Sequence, residues 1–253
     1  MTLLCAQFDV DAVIVDLDGT MVDTLGDFVV ALNRMLADLP PPHRHRQVGR
    51  ADVARLVGKG SENLLKSVLA LVNSEVQLGA NELNQLYQQA WPSYQRHYLA
   101  INGQHAVVYP GVVAGLQQLK GQGLKLACLT NKPTAFALPL LKAKGLAGFF
   151  DLTFGGDAFE RKKPDPLPLL KTCQALGSTP RRTLMIGDSS NDAQAARAAG
   201  CPVLLVTYGY NHGAPIRAVD ADAFVDSLQY MISVESGNSP GLLHCPHVHS
   251  SHF

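Results

Sequence analysis

The sequence predicts an α/β fold, a doubly wound parallel sheet interrupted by an all-helical segment. Three observations carry this. Six short apolar runs of strand length recur along the chain, helix-length patterns separate most of them, and the interval from residue 24 to 105 holds helical periodicity without a strand pattern.

The first run, Ala12-Val13-Ile14-Val15, ends in Asp16-Leu17-Asp18-Gly19-Thr20. Side chains alternate along a strand, so Asp16 and Asp18 point the same way while Leu17 enters the packing. Burying one unpaired carboxylate is costly, so two together at a strand end call for a cation or a reaction. Asp16 is placed as a nucleophile, because a carboxylate can attack a phosphoryl group and split one hydrolysis into two easier displacements. Asp18 then suits general acid/base work. A turn in which both aspartates cap backbone amides is the plainer alternative.

In the helical interval, Phe28, Val29, Leu32, Met35 and Leu36 fall on one face, as do Leu64, Leu65, Val68, Leu69 and Val72, and a third pattern runs from Glu82 to Tyr98. Pro40 to Arg46 reads as a loop with a local basic cluster. Gly58-Lys59-Gly60 forms a turn ahead of a helix. It can present backbone amides or Lys59 to a substrate anion, or serve simply as a helix–helix connection.

Helix patterns at Val112–Lys120, Ala135–Lys144, Leu167–Leu176 and Ala193–Ala199 then alternate with strand-like runs. Those runs are Leu124–Leu129, Leu152–Phe154, Thr183–Ile186, Val203–Val206 and Ala223–Val225. Ligands of such sheets bind beyond the carboxyl ends of the strands. Thr130-Asn131 follows the second run, where a hydroxyl and the amides of a helix opened by Pro133 make a phosphate cradle, or an ordinary cap and turn. Lys163, in Arg161-Lys162-Lys163-Pro164-Asp165-Pro166, can hold the nucleophile and neutralise charge on a transferring phosphoryl group, or sit in a solvated basic loop. Gly187-Asp188-Ser189-Ser190-Asn191-Asp192 follows the fourth run. Asp188 can bind magnesium directly and Asp192 can support it from behind, while Ser189 or Ser190 caps the helix.

Composition sets broad limits. The chain has 253 residues, with 21 Lys plus Arg against 21 Asp plus Glu, so no global field favours nucleic acid or an acidic membrane. No apolar run approaches the length of a bilayer, and the first residues do not read as a signal peptide. Cys5, Cys128, Cys173, Cys201 and Cys245 are dispersed without paired spacing, which suits small core residues in a reducing cytoplasm. The end of the chain beyond Ser236 is rich in Gly, Ser and Pro and carries His244, His247, His249 and His252. It reads as a flexible tail (236–253) without a function, a transition-metal site being the alternative.

The order of the four clusters resembles the haloacid dehalogenase superfamily of phosphotransferases. The matching residues are Asp16-Leu17-Asp18-Gly19-Thr20, Thr130, Lys163, and Gly187-Asp188 with Asp192. The resemblance spans residues 10 to 230 and implies a Rossmann-like core, attack by Asp16, and Mg2+ held by Asp16, Asp188 and the backbone carbonyl of Asp18. It divides the chain into a core of residues 1–23 and 106–235 and a helical cap of residues 24–105 that selects substrate. Dehalogenase-type members lack the acid at Asp18, which favours a phosphatase or phosphomutase. Leu56 to Leu65 and Thr207 to Ile216 are similar to the corresponding segments of the phosphoglycolate phosphatases, as is Asp16 to Thr24, with Met21 in place of the usual Leu. The expected reaction is therefore hydrolysis of 2-phosphoglycolate, a small phosphorylated metabolite. Another sugar phosphate as substrate, or a non-catalytic binding protein on the same fold, are the alternatives.

Overall fold

A computed structural model describes residues 8–74 and 78–232. The terminal histidines, Cys5 and Cys245 lie outside the described residues. Six parallel strands form the central sheet: β1 (Ala12–Val15), β4 (Lys125–Leu129), β5 (Leu152–Phe154), β6 (Thr183–Gly187), β7 (Val203–Val206) and β8 (Ala223–Val225), in the order β5-β4-β1-β6-β7-β8. Each strand-like run of the sequence is a strand, within a residue at either end.

Both faces of the sheet are buried, and alternation along the strands assigns each side chain to one of two cores. Val13 and Val15, with Leu126, Cys128, Leu184 and Ile186, pack against α5 (Val112–Gly121) and α6 (Thr134–Ala143). Ala12 and Ile14, with Ala127, Leu129 and Met185, pack against α7 (Leu167–Leu176) and α8 (Ser190–Ala199). A strand covered on both faces has no polar side to show, which is why these runs are continuously apolar. Cys128 belongs to the first core, and burial pushes its thiol well up. The cysteine reading is therefore met for Cys128, a core residue rather than a nucleophile.

The helical interval comprises α1 (Leu25–Asp38), α2 (Arg50–Leu56), α3 (Ser61–Asn73) and α4 (Ala80–Ile101). The apolar stripes of α1, α3 and α4 meet in a third cluster, joined by Phe136 from α6. The short helix α2 was not legible in the sequence, since seven residues hold too few turns to show a periodic face. A two-stranded antiparallel ribbon joins the chain where it enters and leaves this layer: β2 (Val22–Asp23) pairs with β3 (Val107–Val108). Asp27, fully buried, accepts the backbone N–H groups of Gly103 at 2.6 Å and His105 at 2.7 Å, and so fixes the return crossing. Among the described residues no helix is long and apolar enough to cross a membrane.

Candidate active site

The middle strand β1 lies between β4 and β6, and the connections leave it in opposite directions, which opens a crevice at the carboxyl ends of these three strands. Asp16, Asp18, Thr130, Lys163 and Asp188 all line it. Residues up to 172 positions apart in the sequence thus converge because β1, β4 and β6 are neighbours.

Lys163 is the hub. Its Nζ donates to Asp16 Oδ1 at 2.7 Å, to Asp192 Oδ1 at 2.7 Å and to the Leu129 carbonyl at 2.8 Å. An ammonium has three donors, so this one is fully used. All the charged members are buried, Lys163 4% exposed, Asp16 7%, Asp188 4% and Asp192 2%. Burial works to depress the Lys163 ammonium, and Asp16 and Asp192 outweigh it, so its affinity for the proton is raised. Burial raises the Asp16 carboxyl to about 7, against the pull of Lys163 and with the push of Asp192. Asp188 is raised well above the ordinary carboxylate range by burial first and then by Asp192 and Asp16.

Three buried carboxylates thus share one ammonium, and their ligand oxygens lie within 4.8 Å of one another. That excess negative charge, presented by oxygen donors alone, fits a hard divalent cation such as Mg2+. Asp16 and Asp188 are the residues suited to hold it. Both oxygens of Asp192 are already engaged: Oδ1 takes Lys163, and Oδ2 accepts from Ser189 Oγ at 2.8 Å, Ser189 N at 3.2 Å and Asp188 N at 3.3 Å. Asp192 therefore positions Asp188 and Lys163 while it caps α8 together with Ser189.

The backbone is shaped to let these groups approach. Gly19 has φ +86°, and a Cβ there would stand 2.1 Å from Asp188 Oδ2. Gly209 is held to glycine from the other side, with Asp188 Cβ 2.2 Å from where its Cβ would be. The Tyr208-Gly209-Tyr210-Asn211 segment supports the acidic loop: Tyr210 N donates to Asp188 Oδ2 at 2.7 Å, and Ser190 N donates to Asn211 Oδ1 at 2.9 Å. The Tyr210 hydroxyl donates to Asp23 Oδ1 at 2.9 Å and accepts from Thr24 N at 2.8 Å.

Thr130 is buried at the mouth of α6, its hydroxyl accepting from Lys132 N at 3.2 Å. The side chain of Asn131 is engaged elsewhere, which leaves only its backbone amide for the phosphate cradle expected here. It exchanges two hydrogen bonds with the Lys163 backbone, at 2.8 and 3.0 Å, and donates to the Gly58 carbonyl at 3.1 Å. Gly58 and Gly60 reach the cleft, at φ +113° and +87°, and Asn191 Nδ2 also donates to the Gly58 carbonyl at 3.2 Å. Lys59 is exposed and does not line the cleft. Its charge adds to the burial that pushes the His212 imidazole below its ordinary value.

Lys132, Tyr210, Asn211 and His212 also line the cleft, although the sequence assigns them no role there. Tyr210, Asn211 and His212 lie in a segment singled out by resemblance alone, and Asn191, which holds the Gly58 carbonyl beside the cleft, reads in the sequence as part of a helix start. Lys132 carried a signal in its place directly after Thr130-Asn131, but a lysine before a proline reads as surface. His97 has Nε2 2.8 Å from Asp38 Oδ2 within the helical layer, away from the cleft.

Comparisons with known proteins agree with this geometry. A phosphoglycolate phosphatase of Thiobacillus denitrificans is 44% identical over 219 residues, covering 87% of this chain and 92% of its own length. One from Nitrosospira multiformis is 42% identical over 224 residues, covering 87% and 92%. A crystal structure of a Haemophilus somnus protein, described as a predicted phosphoglycolate phosphatase, superposes with a TM-score of 0.76 at 32% identity, covering 88% of this chain and 96% of that one. The family model of haloacid dehalogenase-like hydrolases matches residues 10–200, the stretch that carries all four acidic, hydroxyl and lysine clusters, and the chain belongs to that family.

Proposed function

We propose that this protein is a magnesium-dependent phosphate monoester hydrolase working through an aspartyl-phosphate on Asp16, with 2-phosphoglycolate as substrate. The observation that carries the reading is the buried Asp16–Lys163 contact of 2.7 Å in the cleft, with Asp18 in the same cleft. Asp16 attacks phosphorus as the bond to the bridging oxygen breaks, and Asp18 gives that oxygen its proton. Asp18 then takes a proton from water, whose oxygen attacks phosphorus and releases inorganic phosphate and free Asp16. Lys163 holds Asp16 aimed and offsets charge on the phosphoryl group, and the Thr130 hydroxyl at the start of α6 suits a phosphate oxygen. Bound Mg2+ would supply electrostatic stabilisation of the phosphoryl oxygens.

Phe28, Val57 and Leu64 of the helical layer, read as a cap over residues 24–105, line the cleft and suit it to select the substrate. The substrate assignment rests on the relatives named above, whose names state the activity. Phosphate release from 2-phosphoglycolate, sugar phosphates and nucleotides at fixed magnesium tests it. The expected result is far higher kcat/KM for 2-phosphoglycolate. A flat or reversed panel overturns the substrate and leaves the reaction class, whereas no release from any ester overturns both.

A further inference from the structure

Lys132 is a buried cation that the mechanism above does not use. Its side chain is 1% exposed, and Nζ donates to both oxygens of Asp18, at 2.9 and 3.2 Å. The same nitrogen stands 4.3 Å from the ring centre of Phe28 on α1 and 4.7 Å from that of Tyr98 on α4. A core lysine is therefore walled by two rings of the helical layer, with its charge on the residue assigned to move the proton.

The Lys163 ammonium has no donor left for a second anion, because its three are already placed. Lys132 spends its hydrogen bonds on one carboxylate, and the ring faces attract its charge without accepting a strong hydrogen bond. Enclosed by rings and out of water, it interacts strongly with any anion that reaches it.

We infer that Lys132 is a specificity-determining residue that binds a carboxylate carried by the leaving group. The inference rests on the function proposed above. In 2-phosphoglycolate the carboxylate is one methylene from the bridging oxygen. With that oxygen against Asp18, the carboxylate falls beside the group Asp18 is paired with. Lys132 pairs with the substrate carboxylate, and glycolate leaves with that carboxylate still against it. An ester ending in a hydroxyl brings no charge for Lys132 to pair with.

The test compares wild type, Lys132→Met, Lys132→Gln and Lys132→Arg on 2-phosphoglycolate and on 2-hydroxyethyl phosphate, which has a hydroxyl in place of the carboxylate. In Lys132→Met, kcat/KM for 2-phosphoglycolate is expected to fall about 100-fold further than that for 2-hydroxyethyl phosphate, the size of losing a buried charged partner. Lys132→Gln, which keeps most of the volume without the charge, shows the same collapse of preference, and Lys132→Arg retains the preference. A preference that survives in Lys132→Met or Lys132→Gln, or equal losses on both esters, overturns the inference alone. A wild type with no preference for the carboxylate-bearing ester overturns the substrate reading beneath it.

Discussion

The amide of Asn131 donates to the backbone carbonyl of Gly58 at 3.1 Å, which ties the loop after β4 to the turn before α3. The same side chain exchanges two hydrogen bonds with the Lys163 backbone. One residue therefore sets the lysine that holds Asp16 and the helical turn beside the cleft. Asn191 shares the Gly58 carbonyl and meets His212 Nε2 at 3.2 Å, so three polar side chains close the seam.

Asn131→Ala is expected to lower kcat/KM by about 100-fold, because it loosens Lys163 and the seam together. Asn191→Ala loosens the seam alone and is expected to raise KM with a smaller effect on kcat. Steady-state kinetics on one phosphate ester checks both. Similar kcat losses in the two variants would show that Asn131 acts only at the seam.

Lys163→Ala leaves Asp16, Asp188 and Asp192 buried without their ammonium. Stripping one partner from a buried charged group costs about 3–5 kcal/mol, so the variant should unfold at markedly lower denaturant and lose activity. Saturating magnesium should restore part of the stability, as a second cation at the same carboxylates. Urea unfolding with and without the ion measures this.

Asp188→Asn removes one negative charge from the same cluster. In chelator-treated protein it should raise the melting temperature by about 2–4 °C, equivalent to about 1 kcal/mol of relieved repulsion, while abolishing activity. Magnesium should stabilise the wild type and leave this variant unchanged. A magnesium-induced shift of equal size in both would remove Asp188 from the ligand set.

Gly58→Ala tests the turn itself. Its φ of +113° disfavours a side chain, and the added Cβ would stand 2.8 Å from His212 Cε1. The substitution should displace His212 and raise KM, with a loss of stability of about 1 kcal/mol or more in thermal unfolding.

His43 supplies a pH dependence remote from the cleft. It is 2% exposed in the loop after α1, its Nε2 has no hydrogen-bond partner among the described residues, and burial, helped by Arg46, lowers its pKa from the ordinary 6.5. The unfolded chain then binds this proton more readily than the folded one. Its contribution to stability is present above pH 6.5 and is lost as pH falls from there through the lowered value. Melting temperatures between pH 8 and 5 should decline on the acid side, and His43→Gln should flatten that decline. An unchanged profile would place the acid sensitivity elsewhere.

The strands and the long helices were legible because each obeys a local rule. β1 is a four-residue apolar run because both faces of the sheet are covered, and α1, α3 and α4 show their buried stripes at helical spacing. Asp16, Asp18, Lys163 and Asp188 were legible for a different reason. Charged residues at strand ends are poor core material, and their order along the chain marks a family. The sequence by itself therefore determined the sheet, the helical layer and the acidic, lysine-bearing centre. Only the tertiary structure decided what surrounds that centre. Lys132 lies 114 positions from Asp18, and no local pattern distinguishes a lysine held on a carboxylate between two rings from one in solvent. Nor does any pattern show that Asn131 turns its amide to Gly58 and Lys163 rather than to phosphate, or that Lys59 faces outward. These outcomes depend on which donors and acceptors are brought within about 3 Å once the layers close, and hydrogen-bond geometry at that range is a property of the folded chain.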